Sequence, residues 1–397
     1  MVNSIMTETA GSLQEQMEML EEYLLENYEF RHNVLSDKFE IRERKGEQAF
    51  RTLSREAFNT LIRRIKKDGH EITSLKQNLE EFIYSEETLS FDPITHYLDH
   101  LPQWDGQNHI GKLFGRIPGI TTEQQYLLAI WLRSAVAHWL NMDMLHGNET
   151  VITLIGRQGC GKSTFCARLL PEHLRCYYLD HLNLANKFDK EMALTSNLLV
   201  NLDELEQIKP SQHAELKQAL SKNRVNGRPI FGRAQNDRRR FASFVSTTNN
   251  PRPLTDPTGS RRFLCIQIPD KQILDNDGEI DYLQLYAQVV HELREEKMRY
   301  WYTEEEVKRI QELNADYQQV TDLGTMIETC LRHPEENEVV VPLTTAQISE
   351  VINRTYPGVK TGAGFCVKLG IMLKRMEFQR RSMGKGQEYY IVPRKVA

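Results

Sequence analysis

The sequence predicts an α/β protein: a parallel-sheet core of the phosphate-loop NTPase kind, a helical region before it and a winged-helix-like domain after it. Three observations carry this. Between 151 and about 270, β-branched apolar runs alternate with helix-forming stretches, the pattern of strands joined by helices in one sheet. The run Val151-Ile-Thr-Leu-Ile155 leads straight into Gly156-Arg-Gln-Gly-Cys-Gly-Lys-Ser163, which fits G-x-x-x-x-G-K-[ST]. From about Thr344 onward the chain reads as helix, turn, helix and hairpin.

Residues 1–95 read as a mainly helical region. Met17, Leu20, Tyr23 and Leu24 share one face of a helix over 13–28. Ser54 caps a second helix with Phe58, Leu61, Ile62 and Ile65 as its apolar stripe, ended by Gly69, and 39–42 is a short strand. The core is expected over 96–315. A helix over 123–140 leads to the strand at 151–155, and further strands fall at 176–179, 198–202, 241–245 and 263–268. Helices are expected after the loop, over 186–194 and near 210–220, and 282–313 returns to helix. In the last domain, 335–397, Thr344 caps a helix that turns Ile348, Val351 and Ile352 inward. A second helix over 364–376 buries Phe365, Leu369, Met372 and Leu373, and 378–392 closes as a hairpin.

Composition bounds the answer. Of 397 residues, 40% are hydrophobic and 26% charged, enough apolar material for more than one core. No run approaches the roughly 20 apolar residues of a membrane helix, and the polar start has no secretory apolar segment. The six cysteines, at 160, 166, 176, 265, 330 and 366, form no Cys-x-x-Cys pair; the spacing fits reduced, cytoplasmic thiols rather than disulfides or zinc. A net charge of −5 excludes a uniformly basic nucleic-acid binder, so any such contact must come from local patches.

The chemistry starts at the loop. Gly156, Gly159 and Gly161 let the backbone wrap so that the amides of Gly156, Arg157, Gln158, Gly159, Cys160, Gly161, Lys162, Ser163 and Thr164 surround phosphate oxygens. Lys162 reaches the β- and γ-phosphates and Ser163 joins the Mg²⁺ shell, so ATP and Mg²⁺ are the implied ligands. Cys160 reads as a small filler. The second acidic signature, Asp203-Glu204, ends the strand at 198–202: Asp203 for the magnesium shell, Glu204 to orient and polarise the attacking water. The strand at 176 implies an inserted strand between the loop strand and the acidic strand. Ser246-Thr-Thr-Asn249-Asn250 ends the next strand, and Asn249 is the chosen γ-phosphate sensor with Asn250 second. Arg261 and Arg262, just before the last strand, are candidates for a finger reaching a neighbouring subunit's ATP; otherwise they are surface arginines in a turn.

These motifs, with Asp256-Pro-Thr-Gly-Ser-Arg-Arg-Phe263, Trp104-Asp-Gly106 and Gly227-Arg-Pro-Ile-Phe-Gly-Arg233, resemble the virulence-associated protein E family over about 95–270. That family comprises phage- and mobile-element ATPases akin to superfamily 3 helicases, in the AAA+ group. The resemblance implies a hexameric ring and helicase-like work on DNA. Members often carry a primase domain; 1–100 shows no acidic metal-binding signature of one, which makes a separate primase an implied partner.

Two basic surfaces remain. A hairpin between the acidic and sensor strands would point Arg228, Arg233, Arg238 and Arg239 into the pore of a ring, onto single-stranded DNA, or else toward a neighbour's nucleotide or acidic surface. In the last domain Lys368, Lys374, Arg380, Arg381 and Lys385 mark a reading helix and wing for duplex DNA, with protein docking as the alternative. A nucleotide-switched DNA-binding regulator without unwinding needs the same hydrolytic residues and stands as the second functional reading.

Overall fold

Ser12 begins the first helix by accepting from the Glu15 amide while Glu15 returns a bond to the Ser12 amide, a reciprocal cap. The computed structural model describes residues 12–46, 48–142, 148–184, 186–205, 208, 210–227, 236–255, 260–318, 322–335, 338–357, 359, 361–383 and 386–394. It divides into two compact units, 1–102 with 195–197, and 103–194 with 198–397. No helix among the described residues is long and apolar enough to cross a membrane.

The first unit contains α1 (Leu13–Asn27), β1 (Tyr28–Asn33), β2 (Lys38–Glu43), β3 (Arg51–Thr52), α2 (Arg55–Lys67), α3 (Leu75–Ile83), β4 (Leu89–Phe91) and α4 (Pro93–Asp99). Leu20 and Leu24 from α1 pack with Phe58, Leu61 and Ile65 from α2 and Leu79 and Ile83 from α3. Beside these helices the four strands form one sheet in the order β3-β2-β1-β4, which the sequence reading did not anticipate as a sheet. Only β2 was foreseen. β1 reads Tyr-Glu-Phe-Arg-His-Asn, and its charges are met across the ladder by Arg31–Glu40 at 2.6 Å and Glu29–Arg42 at 2.5 Å, with Arg44 beside Glu29 at 3.4 Å. A strand satisfied by its neighbour's charges has no apolar period of its own to read.

The second unit opens with α5 (His109–Phe114) and α6 (Thr122–Trp139), then β5 (Val151–Ile155), α7 (Lys162–Ala167), β6 (Tyr178–Leu179), α8 (Lys187–Ser196), β7 (Leu199–Asp203) and α9 (Pro210–Ser221). A hairpin of β8 (Arg224–Gly227) and β9 (Asn236–Arg239) precedes β10 (Ser243–Thr248) and β11 (Phe263–Gln267). The central sheet runs β11-β5-β10-β7-β6 with every pairing parallel. β5 and β10 are buried along their whole length, as strands covered on both faces must be.

Two expectations change. The strand at 176 shrinks to Tyr178–Leu179, after a 3₁₀ turn over Glu172–Tyr177, and lies at the sheet edge. The strand lying between the loop strand and the acidic strand is β10. The helix over 282–313 is two, α10 (Tyr282–Arg294) and α11 (Glu304–Leu313). Lys297 at φ 55° breaks the first, and a Thr303–Glu306 capping box starts the second.

Beyond these come α12 (Leu323–Cys330), β12 (Leu331–Arg332), β13 (Leu343–Thr344), α13 (Thr345–Thr355), α14 (Ala363–Arg375), β14 (Arg380–Met383), β15 (Gly386–Tyr389) and β16 (Val392–Pro393). Ile348, Ile352, Leu369 and Leu373 join Ile327 and Tyr389 in a separate apolar core. β14 and β15 form the expected hairpin, and β13 adds to it in the order β13-β15-β14.

Arg240, part of the Arg239-Arg240-Phe241 passage that also carries the family resemblance but was given no role, is a fully buried cation. Its guanidinium donates to the carbonyls of Ala219 (3.2 Å), Leu220 (2.6 Å), Lys222 (2.7 Å), Ala242 (2.8 Å) and Asn148 (3.0 Å). It closes the last turn of α9 and ties it to the segments that lead into β5 and β10. Replacing it leaves buried carbonyls unpaired. Arg240→Met is therefore expected to destabilise by about 3 kcal/mol, read as a fall of about 5–10 °C in Tm by scanning calorimetry.

Candidate functional site

β5 ends at Ile155 and the chain turns away through Gly156, whose amide donates to Thr248 O at 3.2 Å. Gly159 (φ 78°) and Gly161 (φ 88°) adopt the left-handed conformation that side chains resist. A Cβ on Gly161 would also come within 2.4 Å of the Asn276 amide. The segment after β11 clasps the loop from outside: Leu274 N donates to Cys160 O at 3.0 Å and Asn276 Nδ2 to Gly161 O at 2.9 Å. Cys160 is buried beneath, the filler its size implies.

Lys162, 7% exposed, starts α7. Its Nζ donates to Gly156 O (2.8 Å), Arg157 O (3.0 Å) and Asn249 Oδ1 (2.9 Å). All three acceptors are neutral, so the ammonium keeps its full charge for an incoming anion.

β7 delivers Asp203 at its last position, and Glu204 follows at φ 50°, its amide donating to Thr247 O at 3.0 Å. That left-handed residue turns the chain sharply at the strand end. Thr247 Oγ1 donates to Asp203 Oδ1 at 2.6 Å. Because β10 lies between β5 and β7, its tip stands between loop and acids. One cleft of about 360 Å³ is lined by Gln158, Gly159, Gly161, Lys162, Ser163 and Thr164, by Asp203 and Glu204, and by Thr247, Thr248 and Asn249.

Burial pushes the Cys166 thiol up to about 12, and the Asp180 and Asp203 carboxylates add to it. Burial likewise raises the Tyr178 hydroxyl, with Cys166, Asp180 and Asp203 contributing. A hydroxyl and one carboxylate, Ser163 and Asp203, suit Mg²⁺, which keeps several waters and takes its remaining oxygens from phosphate. Among the described residues no cluster of three or more His, Cys, Asp or Glu offers an all-protein metal cage.

A model of the virulence-associated protein E-like domain matches residues 98–319. The chain belongs to that family. Among solved structures it is similar to the apo C-terminal region of NrS-1, at 14% identity and TM-score 0.45, over 96% of this chain and 99% of that one. The A form of that region gives 12% identity and TM-score 0.44, over 95% and 98%. No curated protein matches.

In this virulence-associated protein E-like chain the other singled-out residues divide. Asn250 is a turn former, its amide donating to Thr248 Oγ1 and its Oδ1 accepting from Arg252 N. Trp104-Asp-Gly106 is a structural tie: Asp105 pairs with His109 at 2.9 Å and its amide donates to Gln284 of α10. Arg261 and Arg262 precede β11, whose Phe263 aligns with Val151 at the start of β5. They stand at the opposite end of the strands from the loop, about 16 Å away at 3.3 Å per residue. Arg262 is held by Glu149 (3.4 Å) and Ser221 Oγ (3.3 Å), whereas Arg261 is exposed, with no partner among the described residues.

Of the arginines assigned to a pore, Arg228 and Arg233 lie outside the described residues. Arg238 pairs with Glu191 at 3.5 Å, and Arg239 donates to the carbonyls of His138 and Trp139 with Phe241 beneath it. Both are thus engaged within the chain. On the last domain Lys368 and Lys374 are exposed on α14. Arg380 bonds Gln387 and Arg381 pairs with Glu388 at 2.7 Å, while Lys385 lies outside the described residues.

Sequence reasoning missed Thr247 and Asn276. Thr247 stood in the quoted Ser246–Asn249 stretch and faces Asp203 in register, a signal available once the strands are paired. Asn276 acts across 115 residues and has no local signal. Bonds to charged groups contribute about 1.5–3 kcal/mol. Lys162→Ala is accordingly expected to weaken triphosphate binding about 10- to 100-fold by calorimetric titration.

Proposed function

We propose that this chain is a magnesium-dependent ATPase that couples hydrolysis to work on DNA, a helicase-like replication protein of a phage or mobile element. One observation carries the reading: Lys162, Ser163, Asp203, Glu204 and Asn249, brought from three parallel strand ends, line a single cleft. On binding, Lys162 exchanges its neutral acceptors for β- and γ-phosphate oxygens, and the loop amides surround the phosphates. Ser163 and Asp203 would hold Mg²⁺, which when bound neutralises charge on the phosphates. Glu204 accepts the proton of the attacking water, and Asn249, released from Lys162, turns its Nδ2 to the γ-phosphate.

The arginines support a ring. A finger about 16 Å from its own loop can act only on a neighbour's ATP, and Arg261 is the better finger because Arg262 is tied to Glu149 and Ser221. The order α13, α14, hairpin supports a winged-helix-like domain with Lys368 and Lys374 toward duplex DNA. The free thiols favour a reducing, cytoplasmic setting. The engagement of Arg238 and Arg239 inside the chain favours a second reading, a nucleotide-switched DNA-binding regulator. Strand displacement on forked DNA, measured beside DNA-stimulated ATPase, separates the two.

Glu204→Gln is expected to keep ATP affinity and lose turnover by about 100-fold or more; hydrolysis at the wild-type rate would refute the assignment. Lys162→Ala and Arg261→Ala proteins, each inactive alone, are expected to regain part of the activity when mixed. Their shared interface then pairs an intact loop with an intact arginine. A fully active strict monomer, measured by light scattering during turnover, removes the finger.

A further inference from the structure

Thr247 is 1% exposed and sits opposite Asp203 in the β10–β7 register. Its one hydroxyl proton goes to Asp203 Oδ1 at 2.6 Å. On its acceptor side stands Asn201 Nδ2 at 3.4 Å, and the same amide group lies 3.5 Å from Asp180 Oδ1. Asn201 is fully buried and its Oδ1 has no hydrogen-bond partner. The opposite amide orientation would aim that oxygen at the Asp180 carboxylate, acceptor against acceptor, so the direction Asn201 to Thr247 to Asp203 is fixed by chemistry.

We propose that Thr247 is a positioning residue for the cation shell. It pins Oδ1 of Asp203 back onto β10 and thereby leaves Oδ2 presented to the cleft. Asp203 is itself exposed at a strand end, where a carboxylate without such a donor rotates about its last side-chain bonds and meets the cation in no fixed orientation. Donors behind a ligating carboxylate are the usual means of holding it, and their loss weakens metal binding about 10- to 100-fold. Asn201 supports the bond by occupying the Thr247 acceptor side, so the hydroxyl keeps donating to Asp203.

The inference rests on the reading of the cleft as a magnesium–nucleotide site. The test titrates Mg²⁺ into the full chain with a fluorescent ATP analogue and reads the half-saturating concentration. A parallel titration in EDTA reads metal-free nucleotide affinity. Thr247→Val is expected to raise half-saturating Mg²⁺ about 10- to 100-fold, with metal-free affinity and Tm unchanged, and Thr247→Ser to return most of the shift. A Val protein that titrates like wild type overturns the role, as does one whose metal-free affinity falls equally. Wild-type binding indifferent to Mg²⁺ removes the underlying reading of the cleft, and the relay with it.

Discussion

Parallel hydrogen bonding of Ser243–Thr248 to Val151–Ile155 on one side and to Leu199–Asp203 on the other aligns three strand ends at one end of the sheet. Everything in the cleft follows from that register. Thr248 pairs with Ile155 and Thr247 with Asp203, so the strand tip that carries Asn249 stands between loop and acids. A slip of one residue in β10 would turn Thr247 and Asn249 to the other face and part Asp203 from its donor. Burial along the whole of β5 and β10 makes such a slip costly, so the apolar core holds the polar site in register.

The loop and the acidic corner both hold unfavourable backbone. Gly159 and Gly161 take left-handed angles that glycine tolerates, whereas Glu204 does so with a side chain. The compensation comes from neighbours: Thr247 O takes the Glu204 amide, and Leu274 and Asn276 brace the loop carbonyls. Lys162 is the electrostatic counterpart, a buried ammonium satisfied by oxygen atoms that carry no formal charge. Such a cation is hydrogen-bonded yet has only neutral acceptors, and the Asp203 and Glu204 carboxylates stand across the cleft from it. The same about 360 Å³ is thus lined by a buried ammonium and by two carboxylates.

At the other end of the sheet the same parallel geometry separates Arg261 and Arg262 from their own loop. Two adjacent arginines meet different fates there. Glu149 and Ser221 restrain Arg262, and Arg261 is left to solvent. Arg239 and Arg240 show the same principle more strongly, since both spend their guanidinium groups on backbone carbonyls. A run of basic residues thus holds structural clamps beside free charges, and charge counting alone treats them alike.

The loop, the acidic pair, the helix caps at Ser54 and Thr344 and the closing hairpin were legible because each is set by residues within a few positions of one another. Periodicity, capping and turn chemistry act at that range. Tertiary structure decided the rest. β10, not the strand near 176, separates loop strand from acidic strand; the first unit contains a sheet whose strands answer one another's charges; and Asn276 reaches Gly161 across 115 residues. Strand order and side-chain partners are set by which apolar faces can be buried together. That is a property of the whole chain, and no local window of sequence contains it.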